Sequence, residues 1–156
     1  MSIQALRSGR LEVKNYAAIV PYNYEVLKAG NARQLMTSYD VLGGAHSLSA
    51  IWASETWVKT NPKTYQAILA AFEEAADRIA ADRESAARIY AKWEASTLPT
   101  ADVAHIIGTP SDITFSVVPN RTLMIAETMH KVGLLKTKPA AWTDYFHAGL
   151  HGKKGS

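Results

Sequence analysis

The residues from Asn61 to Ile79 constrain this chain more than any other stretch. Counted from Tyr65, apolar side chains recur at Ile68, Leu69, Phe72, Ala75, Ala76 and Ile79, the spacing of one face of an α-helix. Asn61 is a residue type that caps helix N-termini, and Pro62 suits a first helical position. Lys63, Gln66, Glu73, Glu74 and Asp77 occupy the opposite face. A helix with one apolar side must bury that side against something. Phe72 is therefore expected in a core, and the surface that receives it has to come from elsewhere in the protein.

The composition is that of a globular chain. Its 156 residues are 47% hydrophobic and 20% charged, the length of one ordinary domain. The net charge of +3 is spread along the sequence, with Lys153-Lys154 in a glycine-rich tail. Nucleic-acid binding needs clustered basic residues, so no nucleic-acid partner is expected. With no cysteine, disulfides, thiol catalysis and thiolate metal sites are excluded. No apolar run approaches the ~20 residues of a membrane helix. Residues 1–9 lack a signal-peptide core, so the sequence as written shows no export address.

Around the stripe, helices and strands are expected to alternate, which gives an α/β fold. Ser2 to Ser8 reads as a helix, Leu11 to Ala18 as a strand, and Asn23 to Ala29 as a helix closed by Gly30. Ala32 to Ser38 and Ser47 to Ser54 read as strands, with a turn at Asp40 to Gly44 between them. Ser54 to Val58 gives a helical turn. After the stripe, Asp82 caps a helix with Ala86, Ile89, Tyr90 and Trp93 on one side. Thr100 caps another, over Ala101 to Ile107. Ile113 to Val118 is β-like, and Asn120 caps a last long helix that Gly133-Leu134 stops. Pro139 to Phe146 is a short amphipathic segment.

Four stretches in this order carry a resemblance. They are Ser38-Tyr39-Asp40-Val41-Leu42-Gly43-Gly44, Lys59-Thr60-Asn61-Pro62-Lys63-Thr64-Tyr65, Met129-His130-Lys131-Val132-Gly133-Leu134-Leu135 and Pro139-Ala140-Ala141-Trp142. From about Gln4 to Phe146 the chain resembles the helix-rich C-terminal half of a periplasmic substrate-binding protein of an ABC importer. The nearest type takes up nitrate, sulfonate, taurine or bicarbonate and is related to thiamine-pyrimidine synthesis proteins. The resemblance implies a two-lobed α/β fold around a cleft, a small anionic solute, no cofactor and no catalysis. It also implies an ABC-transporter permease as partner of the full-length protein, and a periplasmic location. Residues 1–44 would be the end of the second lobe and the crossing segment, 45–146 the returning part of the first lobe, and 147–156 a flexible tail. Family members are longer, so the chain is read as a truncated form. The stripe then lacks its sheet, and two copies can associate through it.

In open α/β sheets ligands sit beyond strand ends, near helix starts. Tyr16, Pro21 and Tyr22 lie at such a junction, although the family often has histidine near position 16. Gly43, Gly44 and His46 fall at the expected lobe crossing, where a hinge would line the cleft. These six are the candidate ligand-binding residues. The bland alternatives are packing tyrosines with a wet hydroxyl and an ordinary turn. His147 and His151 have a metal-compatible spacing, but Gly149 between them favours a loose tail and no metal site. A related pyrimidine-synthesis enzyme would use a cysteine-rich motif, which is absent. A purely helical interaction module is the other alternative.

Overall fold

The computed structural model describes residues 15–30, 32–108 and 113–156. The expected helix at Ser2 to Ser8 and most of the strand at Leu11 to Ala18 lie outside the described residues. The described residues form seven α-helices: α1 (Tyr22–Lys28), α2 (Ser38–Leu42), α3 (Glu55–Thr60), α4 (Pro62–Ala81), α5 (Arg83–Trp93), α6 (Thr100–Ile106) and α7 (Thr122–Lys131). Two short 3-10 turns, Trp142–Asp144 and Ala148–Leu150, complete the chain. No described helix is long and apolar enough to cross a membrane.

The chain is helix-rich, and among the described residues it contains no strand. This corrects the strand expectations at 32–38, 47–54 and 113–118. Residues 32–37, 45–54 and 113–116 are irregular instead. The reason is that alternation fixes which side chains share a face, whereas a strand exists only when a neighbour completes its hydrogen-bond ladder. In the second of these segments Ser47 N donates to Asn120 O at 2.8 Å, and no ladder follows. Leu48, Ile51 and Trp52 are largely exposed, Trp52 at 89%.

Local signals placed several helix ends correctly. Asp82 accepts a hydrogen bond from Ser85 N at 2.9 Å, and Ser54 accepts one from Trp57 N at 3.2 Å. After α7, Gly133 turns left-handed at φ +80°, and Leu134 N returns to Met129 O at 2.9 Å. Two asparagines behave otherwise. Asn61 Nδ2 donates backward to Trp57 O at 3.0 Å, so its side chain closes α3 while α4 begins at Pro62. Arg121, not Asn120, holds the N-cap of α7, with φ +53°.

The chain forms two compact units, Met1–Thr37 with Arg78–Thr114, and Ser38–Asp77 with Phe115–Ser156. In the first, α5 packs on α6 around Ala87, Val103 and Ala104, with Leu98 and Ile107 at its edge. Ala87 is fully buried, which lets the two backbones approach closely. Tyr24 on α1 donates to Asp102 Oδ1 at 3.0 Å, and Lys28 reaches Asp102 Oδ2 at 2.5 Å. That pair of contacts ties α1 to the first turn of α6.

In the second unit the expected loose tail carries specific contacts. Lys153 bonds Glu73 on α4, and the rings of Tyr65 and His147 lie 4.2 Å apart. Ser156 N donates to Pro119 O at 3.0 Å. The Pro139-Ala140-Ala141-Trp142 turn is held by Asp144, whose Oδ2 accepts from Ala140 N at 2.7 Å and Ala141 N at 3.1 Å. Those two amides hold the Asp144 carboxyl below its usual pKa.

The stripe of α4 divides between two environments. Tyr65, Leu69, Ala76 and Ile79 are half-buried, while Ile68, Phe72 and Ala75 are exposed. Phe72, expected in a core, is 45% exposed. The tail meets the stripe at Tyr65, beside His147 and Gly149, while Ile68 is 41% exposed.

Candidate functional site

The six candidate residues divide evenly between the two units. In the first unit, Tyr16 and Ile19 stand exposed on an irregular segment that leads to a cis Val20–Pro21 peptide. Pro21 occupies the N-cap position of α1, and its carbonyl accepts Glu25 N at 3.1 Å. Tyr22 begins the helix and is 48% exposed. Beside it, the Asn23 side-chain oxygen is buried and has no hydrogen-bond partner. An unpaired buried acceptor is unfavourable by roughly 1–3 kcal/mol. Sequence reading did not single out Asn23, and no local pattern marks it.

In the second unit the diglycine turn is built as its residues suggest. Gly43 and Gly44 have φ +74° and +136°, backbone that L side chains rarely adopt. Gly44 N closes the end of α2 by donating to Tyr39 O at 2.7 Å. His46 Nδ1 lies 3.3 Å from Gly44 O, which fixes the proton on Nδ1. The His46 ring stands edge-on to Tyr39, 5.4 Å away. Gly43, Gly44 and His46 thus form one ordered corner.

Arg121 completes that corner, and sequence reading missed it. Its Nη1 donates to Leu42 O at 3.2 Å across 79 residues of sequence. A Cβ at Gly44 would stand 3.1 Å from Nη2, and one at Gly43 would stand 3.4 Å from Nη1. The guanidinium therefore packs against the diglycine turn, where a Cβ at Gly44 would press on it. The backbone of Arg121 is held from the far end of the chain. Ser156 Oγ accepts Arg121 N at 2.9 Å, and Ser156 O accepts Thr122 N at 2.7 Å and Thr122 Oγ1 at 2.9 Å. These bonds satisfy donors at the α7 N-terminus that the missing cap side chain leaves open.

Other candidate features resolve into structure. His147 Nδ1 accepts Gly149 N at 3.0 Å, and His151 Nε2 donates to Phe146 O at 2.8 Å. His130 Nδ1 donates to Leu135 O at 2.9 Å and reinforces the stop of α7. Among the described residues no group of three or more His, Asp or Glu could hold a metal ion. A shallow groove of about 680 Å³ in the first unit is lined by the α4–α5 junction, Ala80 to Glu84, and by Ala101, Ala104 and His105. It includes none of the six candidates.

No protein-family model, curated protein or solved structure matches this chain.

Proposed function

We propose that the chain is part of the solute-binding component of an ABC importer of the nitrate, sulfonate, taurine and bicarbonate type. It binds a small anion, works beside a permease in the periplasm and performs no chemistry. The observation that carries this reading is the exposure of Leu48, Ile51 and Trp52, together with the partial exposure of Ile68 and Phe72 on α4. Extended chain and a one-sided helix of this kind are what an α/β lobe presents to its own sheet. On this reading the segment at 45–54 pairs as a strand in the first lobe, and the stripe covers one face of that lobe's sheet. Tyr22 in one unit, and Gly43, Gly44 and His46 in the other, are the candidate ligand-binding residues of this reading.

The experiment is uptake by a strain lacking the gene. Loss of taurine, alkanesulfonate or nitrate uptake at low external concentration, restored by the gene, supports the reading. Unchanged uptake of all of them overturns it. A helical interaction module is the second reading, favoured by the absence of strand among the described residues. In that case the bare stripe seats another protein and uptake is untouched.

A further inference from the structure

We propose that residues 48–52 pair as an antiparallel strand with the same residues of a second copy of this chain. The segment is held at both ends and open between them. At one end Ser47 N donates to Asn120 O at 2.8 Å, and Ser47 Oγ accepts Asn120 N at 3.0 Å. At the other, Ser54 is extended, with φ −69° and ψ 142°, and its side chain caps α3 by accepting Trp57 N. Residues 45–54 contain no helix, turn or bend, and 48–54 are all exposed. Among the described residues nothing bonds the backbone N–H and C=O groups of 48–53. Such a row of open groups is a template for another strand.

The occupant follows from charge and register. No Asp, Glu, Lys or Arg lies between Asp40 and Glu55, so two copies can meet here without bringing charges together. In a strand, Leu48, Ala50 and Trp52 fall on one face. With Ala50 opposite its own copy on a two-fold axis, Leu48 of each copy faces Trp52 of the other. Cross-strand pairs of this kind are what stabilise a ladder. The contact is isologous and closes on itself, and Glu55 then stands opposite Ala45. It would cover Leu48 and Trp52, which are 70% and 89% exposed. A strand pair by itself is marginal, so the dimer is weak and depends on concentration. None of the six candidate ligand-binding residues takes part, and the proposal stands apart from the solute-binding reading.

The test is sedimentation velocity over a range of concentrations, with variants at Ala50, an exposed position. The parent should show a monomer–dimer equilibrium. Ala50→Lys and Ala50→Glu each set two like charges opposite one another, and each should weaken the dimer by about fivefold or more. An equimolar mixture of the two variants should dimerise again, because opposite charges then meet. The chain has no cysteine, so Ala50→Cys supplies a single thiol on the axis. On oxidation it should cross-link two copies, and Ser49→Cys, offset from its own copy, should cross-link far less. A parent that stays monomeric, a dimer unchanged by Ala50→Lys, or a mixture that associates no better than either variant alone would overturn the proposal. Equal cross-linking at positions 49 and 50 would overturn it as well.

Discussion

Lys28 reaches the carboxylate of Asp102 at 2.5 Å while Tyr24 donates to its other oxygen at 3.0 Å, so one acidic side chain ties α1 to α6. The Lys28 hydrogen bond holds the Asp102 carboxyl below the usual aspartate range. The same contact raises the Lys28 ammonium, and the hydrogen bond to Asp102 raises the Tyr24 phenol. A depressed carboxyl contributes stability above its unfolded pKa, and that contribution is lost as pH falls through the folded value. A raised ammonium contributes below its unfolded pKa and loses it as pH rises through the folded one. The link should therefore weaken on the acid side of the ordinary aspartate pKa and on the alkaline side of the ordinary lysine pKa. Asp102→Asn should flatten the acid limb of a melting-temperature profile. An acid limb identical to the parent's would show that the contact contributes nothing.

Phe72→Ala should change the urea midpoint little in this chain. A buried phenylalanine would lose roughly 3–5 kcal/mol, but Phe72 is 45% exposed and exposed sites move by about 0.5 kcal/mol. The contrast is Ala87, fully buried between α5 and α6. Ala87→Leu overpacks that contact and should lose roughly 1–3 kcal/mol. A large effect at Phe72 with none at Ala87 would place the core on the stripe instead.

Removal of residues 153–156 should lower the thermal midpoint. It deletes the Lys153 contact with Glu73 and the Ser156 oxygens that cap Arg121 N and Thr122 N. Loss of a helix N-cap alone is worth about 0.5–2 kcal/mol. An unchanged midpoint would mean that these contacts are not formed in solution.

Tyr22→Ala should leave the melting temperature unchanged, because the ring is half-exposed at the first turn of α1. On the proposed solute-binding reading it should weaken solute binding. A clear loss of stability would make Tyr22 a packing residue.

What could be read in the sequence was local. Asp82 and Gly133 act on residues within a turn of themselves, and both were legible. The α4 stripe was legible as a face, since periodicity reports which side chains share a side. Its cover was not, because nothing in Ile68 or Phe72 says what lies opposite. The strand expectations at 32–38 and 47–54 failed for the same reason, as a ladder belongs to two segments at once. Asn61 and Asn120 had the right chemistry for caps. Asn61 found an earlier acceptor in Trp57 O, and Ser156 supplied the oxygens for α7 from a distant part of the sequence. The diglycine corner was legible from Gly43-Gly44, whereas Arg121 reaches it across 79 residues and left no sequence signal.

The central proposal is that this chain carries only part of a solute-binding site, and calorimetric titration of this chain tests it most directly. Taurine, ethanesulfonate and nitrate would be titrated in turn. A site that supplies only part of its donors should bind no more tightly than about millimolar, near 4 kcal/mol of binding free energy. Submicromolar affinity for any of the three would show a complete site within these residues and would contradict the account.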